Sequence, residues 1–173
     1  LVLPRVLQGR FDDPQDEDRF SISLKKNESV TLSVMAQRHL RSPVDTLIEV
    51  FDQSQTLVAS NDDGAIFQGE CTHDFVPFDS FLVFRAKKSG EYTIRVSEQS
   101  GSAGPRSVYQ LSASRTRPDF RLFQWPDAVP VFGPGSTSAF VVETHRFGGL
   151  KSDVKISVEG LPAGWSASTS AVV

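Results

Sequence analysis

The chain has 173 residues, 39% of them hydrophobic and 23% charged, with a formal net charge of −3. That is apolar material for one full domain and part of another, or for two small ones. The acidic balance, with no basic run longer than Lys25-Lys26 or Lys87-Lys88, argues against a surface built to neutralise nucleic-acid phosphates or anionic lipid.

The apolar runs are short and broken by charges or glycines, so no segment reads as a membrane span, and residue 1 begins no signal peptide, which fits an excised or processed fragment. Cys71 is the sole cysteine and forms no internal disulfide.

In chain order, the first informative stretch is Gly9 to Leu24, where a dense acidic loop sits between two strand-like runs. Five of the seven residues from Asp12 to Asp18 are acids. Such a cluster repels itself, so it stays in water or gathers round a cation, and Phe20, Ile22 and Leu24 then alternate as in a half-buried strand. Period-two patterning recurs at Arg19 to Leu24, Val30 to Met35, Thr46 to Phe51, Leu57 to Ser60, Phe81 to Arg85, Tyr92 to Val96 and Val108 to Ala113. Turn signals separate these runs at Lys26-Asn27-Glu28, Asn61-Asp62-Asp63-Gly64, Lys88-Ser89-Gly90 and Ser100 to Pro105, and no window keeps helical spacing for three turns. The reading is all-β, with two packed antiparallel sheets whose interior is filled by branched aliphatics and by many of the thirteen phenylalanines.

Arg115 to Pro118 reads as a seam, giving a β-sandwich over 1–117 and a second unit over 118–173. The second unit offers strands at Asp119 to Gln124, Thr137 to Thr144 and Asp153 to Val158, then the turn Gly160 to Gly164 and Trp165. Three or four strands are fewer than an immunoglobulin-like sandwich needs, so this unit is expected to be partial, truncated at Val173.

Several pieces form a family pattern: the Gly9 strand, Asp16-Glu17-Asp18-Arg19-Phe20, the turn Lys25 to Glu28 leading into Val30-Thr31-Leu32-Ser33-Val34, and Asp45-Thr46-Leu47-Ile48-Glu49-Val50-Phe51-Asp52. The loop Leu57 to Asp63 and the hairpin Ala86 to Val96, centred on Ser89-Gly90-Glu91-Tyr92, complete it. On these residues Gly9 to about Ser114 resembles the bacterial pre-peptidase C-terminal domain, a module appended to secreted peptidases and other exported proteins. The resemblance implies a jelly-roll-like sandwich, a non-catalytic accessory role and a secreted or cell-envelope location. Val158-Glu159-Gly160-Leu161-Pro162-Ala163-Gly164-Trp165 is similar to the Leu-Pro-x-Gly-Trp turn of immunoglobulin-like modules found beside carbohydrate-active enzymes, the NPCBM-associated type. In that turn Pro162 fixes the backbone, Gly164 permits a left-handed conformation, and Trp165 is placed to cap a core.

Candidate site residues centre on calcium. Asp12, Asp13, Asp16 and Asp18 could supply several of the six to eight oxygens that this hard ion takes, with Asp62 and Asp63 as long-range partners. The resemblance implies calcium near this strand, as in related collagen-binding domains, which draw part of the site from an upstream acidic segment; Leu1 to Gln8 holds no acid. Asn61 to Gly64 also suits plain turn chemistry.

Cys71, His73 and Asp74 start a thiol or metal constellation without the further paired ligands zinc needs, His39 and His145 lying in unrelated segments. Gly133 to Gly135 and Gly148-Gly149 lack the lysine and helix of a phosphate loop, and no Gly-x-Ser-x-Gly elbow occurs. Asp45, Glu49 and Asp52 read as solvated carboxylates, since alternation sends Asp45 and Glu49 to one face and Asp52 to the other and suggests no tuned acid/base pair. The expected role is support of export, stability or domain spacing, with neighbouring domains of the same polypeptide as partners; the alternative is a calcium-assisted binding module for polysaccharide or a fibrous extracellular protein, and neither involves nucleic acid or membrane insertion.

Overall fold

The computed structural model describes residues 1–63, 79–126, 128–168 and 171–172. Gly64 and the Cys71, His73 and Asp74 group lie outside the described residues. The chain divides into two compact units, Leu1–Thr116 and Arg117–Val173.

Among the described residues the first unit holds eight strands: β1 (Arg5–Arg10), β2 (Glu17–Leu24), β3 (Ser29–Met35), β4 (Thr46–Phe51), β5 (Leu57–Asn61), β6 (Phe81–Arg85), β7 (Gly90–Glu98) and β8 (Val108–Arg115). A single helical turn, α1 (Gln37–Leu40), follows β3. One antiparallel sheet runs β1-β8-β3-β6 and the other β2-β7-β4-β5. That pair of orders is a jelly roll, in which successive strands alternate between the layers except for the β4–β5 hairpin, and most strands pair with partners distant in sequence.

Alternation in the sequence becomes alternation in burial. Along β7, Tyr92, Ile94 and Val96 are buried while Thr93, Arg95 and Ser97 are only half-buried. Val30, Leu32 and Val34 of β3 and Tyr109, Leu111 and Ala113 of β8 face them from the other sheet. Burying each large aliphatic or aromatic side chain in such a layer contributes about 1.5–3 kcal/mol. The described core is built on Val, Ile and Leu, with Phe11 and Phe84 as its buried phenylalanines, fewer than the aromatic count suggested. Branched aliphatics fill an interlayer gap of about 10 Å with little rotamer entropy to lose.

Polar ties join the sheets. Ser80 N donates to Thr46 Oγ1 at 3.1 Å and Ser80 Oγ to the Thr46 carbonyl at 2.5 Å, while Val34 N donates to the Ser80 carbonyl at 2.9 Å. Asp79, also buried, caps α1 from far along the chain: Oδ1 accepts from Ala36 N and Gln37 N at 3.1 and 2.7 Å, and Oδ2 from Arg38 N at 3.3 Å.

The second unit pairs β9 (Asp119–Trp125) with β10 (Val141–Phe147), and the two-residue strands β11 (Val154–Lys155) and β12 (Ala171–Val172) with each other. Two of its strands depart from the sequence reading. The expected Thr137–Thr144 strand begins only at Val141; before it the Ser138 hydroxyl donates to the Pro130 carbonyl, tying this stretch back to the loop instead of to a neighbouring strand. The expected Asp153–Val158 strand shrinks to Val154–Lys155. Gly164 adopts φ 86° and Trp165 N donates to the Pro162 carbonyl at 3.1 Å, so the predicted turn is present, yet Trp165 is 51% exposed rather than capping a core. Among the described residues no helix is long and apolar enough to cross a membrane.

Candidate functional site

The acidic loop is organised by its own carboxylates. Asp12 pairs with Arg10 Nε at 2.6 Å, Asp16 Oδ2 accepts from Asp12 N at 2.8 Å, and Asp13 Oδ1 accepts from Gln15 N at 2.9 Å. Asp18 is turned inward, where its Oδ2 accepts from the Tyr109 hydroxyl at 2.5 Å. Burial, and next the bond to Asp18, push the Tyr109 phenol well above its ordinary value, so it stays a donor. Each of these four acids thus has a separate partner.

Asp62 and Asp63 belong to a different neighbourhood. Asp62 Oδ1 accepts from Asp63 N at 3.0 Å, and the preceding Asn61 Oδ1 accepts from Phe81 N at 3.1 Å, which is the turn chemistry of a strand end. Their electrostatic neighbour is Asp45. Burial raises the Asp45 carboxyl, and the charges of Asp63, Asp62 and Glu98 raise it further. Asp63 is raised by burial and then by Asp62. Among the described residues Asp45 Oδ1 is buried without a hydrogen-bond partner.

Glu98, beside it, is fully engaged: it accepts from Asp45 N at 3.1 Å, Ser100 N at 2.9 Å and Ser102 N at 2.8 Å, and from the Ser100 hydroxyl. Burial pushes Glu98 up, but the Ser100 hydroxyl and the backbone donors together outweigh it and hold the carboxyl below its ordinary range. Among the described residues no three His, Cys, Asp or Glu side chains are grouped so as to hold a metal ion. The six carboxylates of the calcium set are therefore not gathered into one shell.

On the outer face of the β2-β7-β4-β5 sheet, Arg95 is central. Its Nε donates to Glu49 at 2.6 Å and its Nη1 to Glu17 at 2.9 Å, its guanidinium lies 5.0 Å over the Phe51 ring, and Glu17 also pairs with Arg19. The bond from Arg19 lowers the Glu17 carboxyl against burial, which raises it, and the charges of Arg19 and Arg95 lower it further. The sequence reading of Glu49 as a solvated carboxylate is corrected here: it is 7% exposed, because Arg95 lies across it from the register-matched position on β7. Alternation names the face of a residue but not what covers it.

A shallow cleft of about 410 Å³ opens at the end of the sandwich where β2 ends and β7 begins. Ser23, Lys25, Gln53, Glu91 and Arg115 line it, with Gly90 among them. A Cβ on Gly90 would lie 3.1 Å from Gln53 Cδ and Nε2, so the bare glycine lets Gln53 lie across the strand start.

The geometry defines a jelly-roll β-sandwich whose described acidic side chains are largely joined to its own backbone and to neighbouring side chains. No protein-family model matches the chain, and no curated protein matches it. Among solved structures it is similar to the periplasmic inhibitor of g-type lysozyme PliG from Aeromonas hydrophila, with 18% identity and a TM-score of 0.46, over 65% of this chain and 85% of that one. It is also similar to the pre-peptidase C-terminal domain of a collagenase from Bacillus anthracis, with 17% identity and a TM-score of 0.46, over 65% of this chain and 90% of that one. Both likenesses are of fold, and no ligand or activity passes from them to this chain.

Proposed function

We propose that the chain is a non-catalytic accessory region of a larger exported bacterial protein, with the first unit acting as a spacer and stabiliser for neighbouring domains of the same polypeptide. One observation supports this reading most directly. The acids of the first unit that sit in or against its framework are committed to architecture: Asp79 caps α1, Glu98 gathers the Ser100 loop, Asp18 anchors Tyr109 and Glu49 is neutralised by Arg95. Carboxylates engaged in this way are not free to turn toward a substrate.

The second unit is read as part of an immunoglobulin-like module. Phe120, Leu122 and Val141 of its hairpin are more than a third exposed, and further strands of such a module would cover them. The test is removal of residues 1–116 from the full-length gene product. The expected result is a lower secreted yield and melting temperature with unchanged kcat/KM of the attached enzyme. Turnover of ester, peptide or glycan substrates by the purified chain would overturn the reading.

A second reading, a binding module for polysaccharide, is favoured by the shallow cleft at the β2/β7 end, where hydroxyl, amide and carboxylate groups that suit sugar hydroxyls stand beside the apolar Leu24.

A further inference from the structure

Two turns distant in sequence meet at one pole of the first unit. Lys26 N donates to Ser89 Oγ at 2.8 Å across a separation of 63 residues, Asn27 N to the Ala86 carbonyl at 2.7 Å, and Ala86 N to the Glu28 carbonyl at 2.9 Å. Asn27 takes the left-handed conformation, φ 69°, that closes the first turn. These bonds lock the β2–β3 and β6–β7 turns side by side and place Lys25, Lys26, Lys87 and Lys88, all exposed, on one platform.

The acids nearest the platform are already engaged. Glu28 is ion-paired with Arg115 and accepts from Lys25 N at 2.9 Å, and Glu91 Oε1 accepts from the Ser21 hydroxyl at 2.5 Å. Among the described residues no salt bridge joins the four ammonium groups to a carboxylate. Four uncompensated like charges on a rigid base repel one another and concentrate positive potential, and a polyanion relieves both.

The chemistry around the platform selects among polyanions. Apart from the buried Ala86, the two turns present only lysine, asparagine, glutamate and serine, so they offer no apolar wedge for a bilayer and no aromatic ring for a nucleobase. The adjoining cleft shares Lys25 with the platform and adds Ser23, Gln53 and Glu91, which pair with neutral hydroxyls. We infer that this pole binds an acidic polysaccharide of the polyuronate class, its carboxylates on the four lysines and its ring hydroxyls in the cleft. The inference deepens the binding reading above and is independent of the accessory role.

The test measures binding of the whole chain to polygalacturonate, neutral dextran, poly-glutamate and phosphatidylglycerol vesicles. Polygalacturonate is expected to bind, and to bind about tenfold or more weakly when salt rises from about 0.05 M to about 0.5 M. The quadruple variant Lys25→Ser, Lys26→Ser, Lys87→Ser, Lys88→Ser should lose roughly tenfold or more while keeping the wild-type melting temperature, and Lys87→Ser with Lys88→Ser alone should lose a smaller share. Ser23→Ala with Gln53→Ala should weaken polygalacturonate several-fold and leave poly-glutamate unaffected. Binding of neutral dextran without polygalacturonate would sink this inference and leave the broader polysaccharide reading standing. Equal binding of poly-glutamate, preference for the vesicles, or full retention by the quadruple variant would each overturn it.

Discussion

Gly9 of β1 faces Tyr109 of β8 across a ladder pair with no room between them: a Cβ on Gly9 would come within 2.5 Å of the Tyr109 hydroxyl oxygen and closer still to its ring. The ring cannot step aside, because Phe11 stacks on it at 5.0 Å and Asp18 holds its hydroxyl at 2.5 Å. Gly9→Ala is therefore expected to cost about 1–3 kcal/mol of stability in urea denaturation, as an overpacked core does. In the background Tyr109→Leu the same substitution should cost much less. A Gly9→Ala loss below about 0.5 kcal/mol would show that the ring is free to move.

Glu98 and Asp45 should respond to pH in opposite directions. Glu98 is held below the ordinary carboxylate range, so its contribution is present above the unfolded value and lost as pH falls through the lower folded one. Removing it as Glu98→Ala strands three backbone donors and is expected to cost about 2–3 kcal/mol. Asp45 is raised, so in the folded state it retains its proton longer, and stability falls as pH rises from the ordinary carboxylate range to the raised value. Asp45→Asn should raise the melting temperature by about 2 °C at pH 7 and leave it unchanged near pH 3. A loss at neutral pH would show that Asp45 Oδ1 has a partner in solution.

Arg95 covers a carboxylate that water barely reaches. Arg95→Met should destabilise by about 2–3 kcal/mol by leaving Glu49 buried and unpaired, and the double variant Arg95→Met, Glu49→Leu should recover most of that loss. Equal melting temperatures for the single and double variants would place the cost in lost packing on Phe51 instead.

Calcium in the acidic loop would have to displace Arg10 from Asp12 and the Tyr109 hydroxyl from Asp18. About 5 mM calcium, or EDTA, is expected to leave the melting temperature within about 1 °C of its starting value. An upward shift of several degrees that Asp16→Asn abolishes would show an ion seated there.

The strands of the first unit were legible because each packs one face: Phe20, Ile22 and Leu24, or Val30, Leu32 and Val34, repeat at the spacing that burial imposes. Their pairing was not, since a jelly roll joins β1 to β8 and β3 to β6 over distances no local pattern records. For the same reason Lys25-Lys26 and Lys87-Lys88 read as two minor pairs, and only the Lys26–Ser89 bond makes them one platform. Asp79 gave no signal either, because its role depends on donors 41 to 43 residues away. The second unit was harder to read, since its half-exposed hairpin leaves the apolar periodicity without a packed layer to enforce it.

In the first unit the chain enters β1 at Arg5, opposite Ala113, and leaves the adjacent β8 at Arg115. Both ends therefore exit at the same pole of one antiparallel pair. Tension applied through them would peel β1 from β8 one hydrogen bond at a time instead of shearing the whole ladder at once. A stretched polypeptide carrying this unit would lengthen under modest force, in the manner of a zip fastener, and shield its neighbours from sudden load.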